Sequence, residues 1–186
     1  MNYFTAVYLA GKISKNGWRA RIVPGLRDAA LEASDVLKAD YKETIIDGLI
    51  TSGPYFICCD HGCYHGDGSH GVGSSGYVTC NGIGIPAPIV PKICQEQIAR
   101  SNFVFAYINS DSCYGTLCEI GYAIGKGKPV AVMFTSKKLR KEMWFVSEFA
   151  SIEFDVDGSL LRANITESEI IMFAQRIAYN LQTEVE

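Results

Sequence analysis

Residues 103–134, FVFAYINSDSCYGTLCEIGYAIGKGKPVAVMF, decide the fold class. Residues 103–108 and 129–134 are short, nearly continuous apolar runs rich in aromatic and β-branched side chains, the pattern of strands covered on both faces. Between them Leu117, Ile120, Gly121 and Ile124 recur at the helical period. A strand, a polar turn, a helix and a second strand in this order make a βαβ unit with a right-handed crossover.

The alternation continues outward. Residues 3–9, 55–59 and 151–156 read as further strands. Helical stripes run through Leu26, Ala29, Ala30, Ala33 and Leu37, through Val90, Ile93, Cys94, Gln97 and Ile98, and through Ile170, Ala174, Ile177, Ala178 and Leu181. Thr166 with Glu169 fits a capping box for the last of these. The expected architecture is α/β: an open doubly wound, flavodoxin-like, five-stranded parallel sheet with helices on both faces. A chain of 186 residues, 48% hydrophobic, has room for one sizeable core, so 1–186 is expected as a single domain. The only compositional break is the segment 60–91, which is rich in Gly, carries all 3 His and reads as a long loop insertion.

Net charge is −3 with Lys and Arg scattered singly or in pairs, so duplex nucleic acid is not an expected partner. The N-terminal apolar run has no charged leader and falls short of the ~20 residues that span a bilayer, which predicts a cytoplasmic protein without membrane contact. The 7 Cys, an odd number, fit reduced thiols better than a disulfide framework.

In an open α/β sheet, ligands bind beyond the carboxyl ends of the strands, here at residues 10–18, 60–91 and 109–115. Glu119 falls beside the last of these and has two readings. Thr116 and Glu119 have capping-box spacing, in which the carboxylate reaches back to the Thr116 amide. Alternatively the helix N-terminus holds Glu119 ionised in the crevice, which suits a nucleophile, with Asp111 nearby to donate or accept a proton. Two carboxylates in one crevice are the minimum apparatus for breaking a glycosidic bond. Tyr8 on an apolar strand reads equally as a core residue, and Asp111 as a turn former.

The run CCDHGCYHGDGSHG brings Cys58, Cys59, His61, Cys63, His65 and His70 close together, but it lacks paired Cys-x-x-Cys spacing, so no metal and no cofactor are expected. The same loop reads as a lid and base pocket, with Asp60 at its start and His61 and His65 as hydrogen-bond donors. Trp18 offers a stacking surface, and Arg19 an anion clamp for a substrate phosphate.

VYLAG at 7–11 and GTLCEIGYAIGKGKPV at 115–130 together resemble the nucleoside 2-deoxyribosyltransferase-like superfamily, which includes transferases and related nucleotide N-glycoside hydrolases. The resemblance implies that Glu119 attacks the anomeric carbon and that Tyr8 hydrogen-bonds and orients it. Many relatives carry Asp six residues before the Glu; here that position is Cys113, and Asp111 is the nearest substitute. Gly11 and Gly115, which end the first motif and begin the second, belong to the expected substrate-binding set. The implied activity is cleavage of a nucleoside or nucleotide N-glycosidic bond, with the (deoxy)ribosyl group passed to a base or to water. An NAD-cleaving or nucleotide-sensing protein of similar fold, and a non-catalytic nucleotide-binding module, are the alternatives.

Relatives of this kind build each pocket with residues from a neighbouring subunit. Met143, Trp144, Phe145 and Phe149 crowd one segment beyond what a single core-facing stripe needs, so a homodimer or dimer-based oligomer with Trp144 near the contact is expected.

Overall fold

The computed structural model describes residues 5–13, 17–23, 44–46, 48–54, 77–80, 83–86 and 88–182. Along these the elements are β1 (Thr5–Gly11), α1 (Trp18–Ile22), β2 (Thr44–Ile46), β3 (Leu49–Ser52), β4 (Tyr77–Cys80), β5 (Ile83–Pro86), α2 (Ile89–Arg100), β6 (Phe103–Ile108), α3 (Tyr114–Gly125), β7 (Val130–Phe134), α4 (Lys137–Glu142), α5 (Trp144–Phe149), β8 (Ile152–Phe154), β9 (Leu160–Ala163) and α6 (Ser168–Asn180). Seven strands form one sheet in the order β2-β3-β1-β6-β7-β8-β9, and β4 pairs with β5 separately. Strands β3, β1, β6, β7 and β8 run parallel. Antiparallel β2 and β9 close the two edges. Val104, Phe105 and Ala106 of β6 and Val130, Ala131 and Val132 of β7 are wholly buried, which is why these strands read as unbroken apolar runs.

The sheet therefore has more strands than the expected five. The apolar run at 55–59 lies outside the described residues, and Leu49–Ser52 fills the position beside β1. Two polar residues disguise this strand: Thr51 and Ser52 are buried, and Ser52 Oγ donates to the Val7 carbonyl at 3.3 Å. β2 pairs antiparallel with it, and Gly48 between the two strands has φ 84°, in the left-handed region that a tight hairpin turn requires. Part of segment 60–91 is likewise regular: Tyr77–Cys80 pairs antiparallel with Ile83–Pro86, and α2 starts at Ile89.

Side chains alternate across a strand, so β1 serves both faces. Tyr8 points toward α2 and α3, while Gly11 lies on the opposite face beneath α1. There the Trp18 indole packs on Phe105 and Tyr107 at centroid distances of 6.3 and 5.2 Å, and Phe105 meets Phe154 at 6.1 Å. A Cβ on Gly11 would lie 2.6 Å from Trp18 Nε1, so only glycine fits under the ring. Gly11→Ala is expected to cost about 1–3 kcal/mol through overpacking, read as a fall of several degrees in the thermal unfolding midpoint. An unchanged midpoint would contradict this placement of the indole.

Arg19, expected at a substrate phosphate, is wholly buried instead. Its Nε donates to the Leu9 carbonyl at 2.9 Å and its Nη2 to the Gly11 carbonyl at 2.6 Å. These carbonyls share the side of β1 that faces β3, and β3 pairs only as far as Tyr8. The guanidinium thus continues the hydrogen bonding of β1 past the end of its neighbour, which satisfies groups that burial would otherwise leave orphaned. Trp18, expected to stack on substrate, is likewise a core residue, because its large apolar surface fills the space that Gly11 leaves. The terminal capping box is also absent: α6 starts at Ser168, and Glu169 Oε1 accepts a hydrogen bond from Thr5 Oγ1 at 2.7 Å.

Candidate active site

Strands β1 and β6 are parallel neighbours, so their carboxyl ends lie side by side, and α3 leaves β6 at that edge. α3 opens at Tyr114 with Cys113 as its N-cap, so Thr116 is inside the helix and buried, and Glu119 is in the second turn. The capping reading of Thr116 and Glu119 is thereby overturned. The Glu119 side chain is used elsewhere: Tyr8 Oη donates to Glu119 Oε1 at 2.5 Å, a short, charge-assisted bond between sheet and helix.

Glu119 lines a cavity of about 650 Å³. The end of β1 contributes Gly11, followed by Lys12 and Ile13; α2 contributes Val90, Cys94 and Ile98; the turn into α3 contributes Ser112, and the first turn of α3 Gly115. Tyr114, Cys118 and Tyr122 complete the wall along α3. Most of this lining is apolar, and Lys12 Nζ donates to Ser112 Oγ at 3.3 Å. Tyr8 stands behind Glu119, wholly buried.

The carboxylate is open to the cavity and enclosed by protein on its other sides. This burial pushes its pKa up to about 7, against the opposing pulls of the Tyr8 hydroxyl, the Arg19 charge and the Cys94 thiol. The helix N-terminus does not hold it ionised as the sequence suggested, because Glu119 lies past the first turn and the macrodipole fades there. Burial raises Tyr8 well above the usual tyrosine range, with the Glu119 charge adding to the effect, so Tyr8 remains a donor. Burial likewise pushes the Cys94 thiol up to about 12.

The geometry therefore joins Glu119, Tyr8, Gly11 and Gly115 at one edge of the sheet, with Tyr8 acting through Glu119 and Gly11 also accommodating Trp18. Asp111 is exposed in the turn before α3 and is not among the residues lining the cavity, so among the described residues Glu119 is its only carboxylate. Asp60, His61 and His65, and the Cys and His cluster around them, lie outside the described residues. Lys12, Cys94, Tyr114 and Tyr122 were not anticipated at the site. Lys12 follows VYLAG directly and could have been found from its place at the end of β1. Cys94 reads only as one member of an apolar stripe.

No family model matches the chain, and neither the curated proteins nor the solved structures yield a match. A reachable carboxylate of near-neutral pKa, hydrogen-bonded from behind by a phenol in a mostly apolar cavity, is equipped for nucleophilic attack or for proton transfer.

Proposed function

We propose that the protein cleaves the N-glycosidic bond of a nucleoside or nucleotide on a flavodoxin-like, doubly wound sheet, with Glu119 as nucleophile. The observation that carries this reading is the Tyr8–Glu119 hydrogen bond at the edge of a cavity beyond the carboxyl ends of β1 and β6. A Glu119 carboxylate oxygen bonds to the anomeric carbon as the carbon–nitrogen bond breaks, through an oxocarbenium-like transition state. Tyr8 donates to the carboxylate and fixes its direction of attack. The departing base takes a proton from water, since Asp111, the acid the sequence offered, is not among the residues lining the cavity. Water or a second base then attacks the anomeric carbon and releases Glu119, and the double displacement retains configuration.

A mass-spectrometric screen of nucleosides and nucleotides, alone and with a free base added, tests this reading. Liberated or exchanged base is the expected product, and no cleavage of any N-glycoside would leave a non-catalytic binding module as the better account. Because attack needs the ionised carboxylate, kcat/KM should rise about tenfold from pH 6 to pH 8, following the ionised fraction of a group titrating near 7.

The assembly belongs to the same proposal. Trp144, Phe145 and Phe149 are 62%, 60% and 51% exposed and contact one another edge to face. Phe145 and Phe149, with Leu117, Ile120 and Ile124 of α3, line an apolar hollow behind the helix that carries Glu119, and Trp144 packs on Phe145 beside it. A homodimer would cover that hollow, and light scattering showing a fully active monomer would exclude it.

A further inference from the structure

α5 is built inside out. Trp144, Phe145 and Phe149 are exposed, Val146 is only partly buried, and the one residue the helix buries is Ser147. A surface helix ordinarily turns its apolar stripe toward the core, and 6 residues are too few to stay helical without such packing. What holds α5 is mainly polar. Ser147 Oγ donates to Glu153 Oε1 at 2.7 Å, and the Ser147 carbonyl accepts a hydrogen bond from Arg162 Nη2. Arg162 Nη1 also lies 3.7 Å from Glu148 Oε2 on the same helix.

Glu153 is the centre of this grip. It is 2% exposed on β8 and is paired with Arg162 across the β8–β9 ladder. Arg140 of α4 donates from Nε to Glu153 Oε1 at 2.6 Å, and Arg162 Nη2 lies 3.5 Å from Glu153 Oε2. Side chains from α4, α5 and β9 thus converge on one buried carboxylate and replace the water it has lost.

We infer that Glu153 is a positioning residue for assembly: by gripping Ser147 it holds α5 with its aromatic side outward, as a preformed contact for a second copy of the chain. This inference deepens the proposed homodimer and rests on it for the partner. A two-fold contact needs one self-complementary face. This face carries both parts, since Trp144 projects beside the hollow of about 440 Å³ between α5 and α3. Anchoring α5 through apolar side chains would have turned the same aromatics inward, so a polar anchor is what leaves them free. Holding the helix before contact also matters, because an aromatic cluster on a loose helix must be ordered at each encounter, which weakens binding.

The test combines backbone amide order parameters, from nitrogen relaxation NMR, with the dimer dissociation constant from analytical ultracentrifugation, in Ser147→Ala and Glu153→Gln. Ser147→Ala removes one bond and puts the best helix former in its place, while Glu153→Gln keeps the shape but loses the charge that the two guanidiniums share. In both variants the order parameters of residues 144–149 should fall from the rigid value of about 0.85 toward 0.6, with those of β6 and β7 unchanged. The dissociation constant should rise about tenfold, the scale of one charge-assisted hydrogen bond. A carboxylate that only stabilises the fold predicts a lower unfolding midpoint with neither the order parameters nor the dissociation constant moved, and that result would overturn the inference. Should Glu153→Gln not fold, Ser147→Ala decides alone: order parameters at 144–149 equal to those of the wild type sink the proposal. Relaxation needs no partner, so a monomeric wild type whose α5 loosens in both variants would refute the homodimer while sustaining the grip of Glu153 on α5.

Discussion

Replacing Glu119 by Ala is expected to lower N-glycoside cleavage on the order of 10⁴-fold or more, the scale of losing an active-site nucleophile. Glu119→Gln should be nearly as inactive, because it keeps the shape and the acceptor for the Tyr8 hydroxyl but loses the ionised oxygen that attacks. Substrate binding should change far less than turnover, since the cavity walls from α2 and the start of α3 remain in place. If Glu119→Gln kept wild-type turnover on every substrate the protein accepts, the carboxylate would have no chemical role.

The same substitution should stabilise the protein, by an amount that depends on pH. The folded environment raises the pKa of Glu119 from 4.5 to about 7, so folding favours the protonated form. The contribution of this group to stability is full below pH 4.5 and is lost as pH rises through 7, where the carboxylate must ionise inside the protein. Glutamine never ionises and escapes that loss. At pH 8 Glu119→Gln is therefore expected to be more stable by roughly 2–3 kcal/mol, or about 5 °C in the unfolding midpoint, and the difference should vanish near pH 4.5. Midpoints that differ equally at both pH values would contradict a burial-raised carboxyl. A group that weakens the fold at the pH where it would work is the usual mark of a site shaped for chemistry.

The sequence made the parallel strands legible where burial on both faces left only apolar residues. β6 and β7 fall almost where their runs predict, and α2, α3 and α6 follow their stripes. β3 was hidden for a different reason. Leu49–Ser52 mixes polar with apolar residues, and Thr51 and Ser52 are buried polar groups whose burial no local pattern announces. Gly48, at φ 84° between β2 and β3, is a turn signal that was readable in principle.

At the site, Glu119 and Tyr8 are separated by 111 positions in sequence, and the motifs that hold them suggested their union. Trp18 and Arg19 were misplaced because a tryptophan and an arginine just after a strand look alike whether they face ligand or core. What settles it is Gly11, whose missing side chain admits the indole, and the end of β3, which leaves β1 carbonyls for the guanidinium. Capping-box spacing misled at both Thr116 and Thr166, since it fixes a helix start only if the helix begins there, and α3 begins two residues earlier at Tyr114.

The central claim is a covalent bond between Glu119 and the sugar, and the most direct test is to trap it. A nucleoside substrate carrying fluorine at the sugar 2′ carbon slows both steps by destabilising the oxocarbenium-like transition state, and the released base leaves a longer-lived adduct. Intact-protein mass spectrometry should show a gain of one fluorosugar unit per chain, and peptide sequencing should place it on Glu119 and find none in Glu119→Ala. Turnover of the parent substrate with inverted configuration, and no adduct on any residue, would contradict the account.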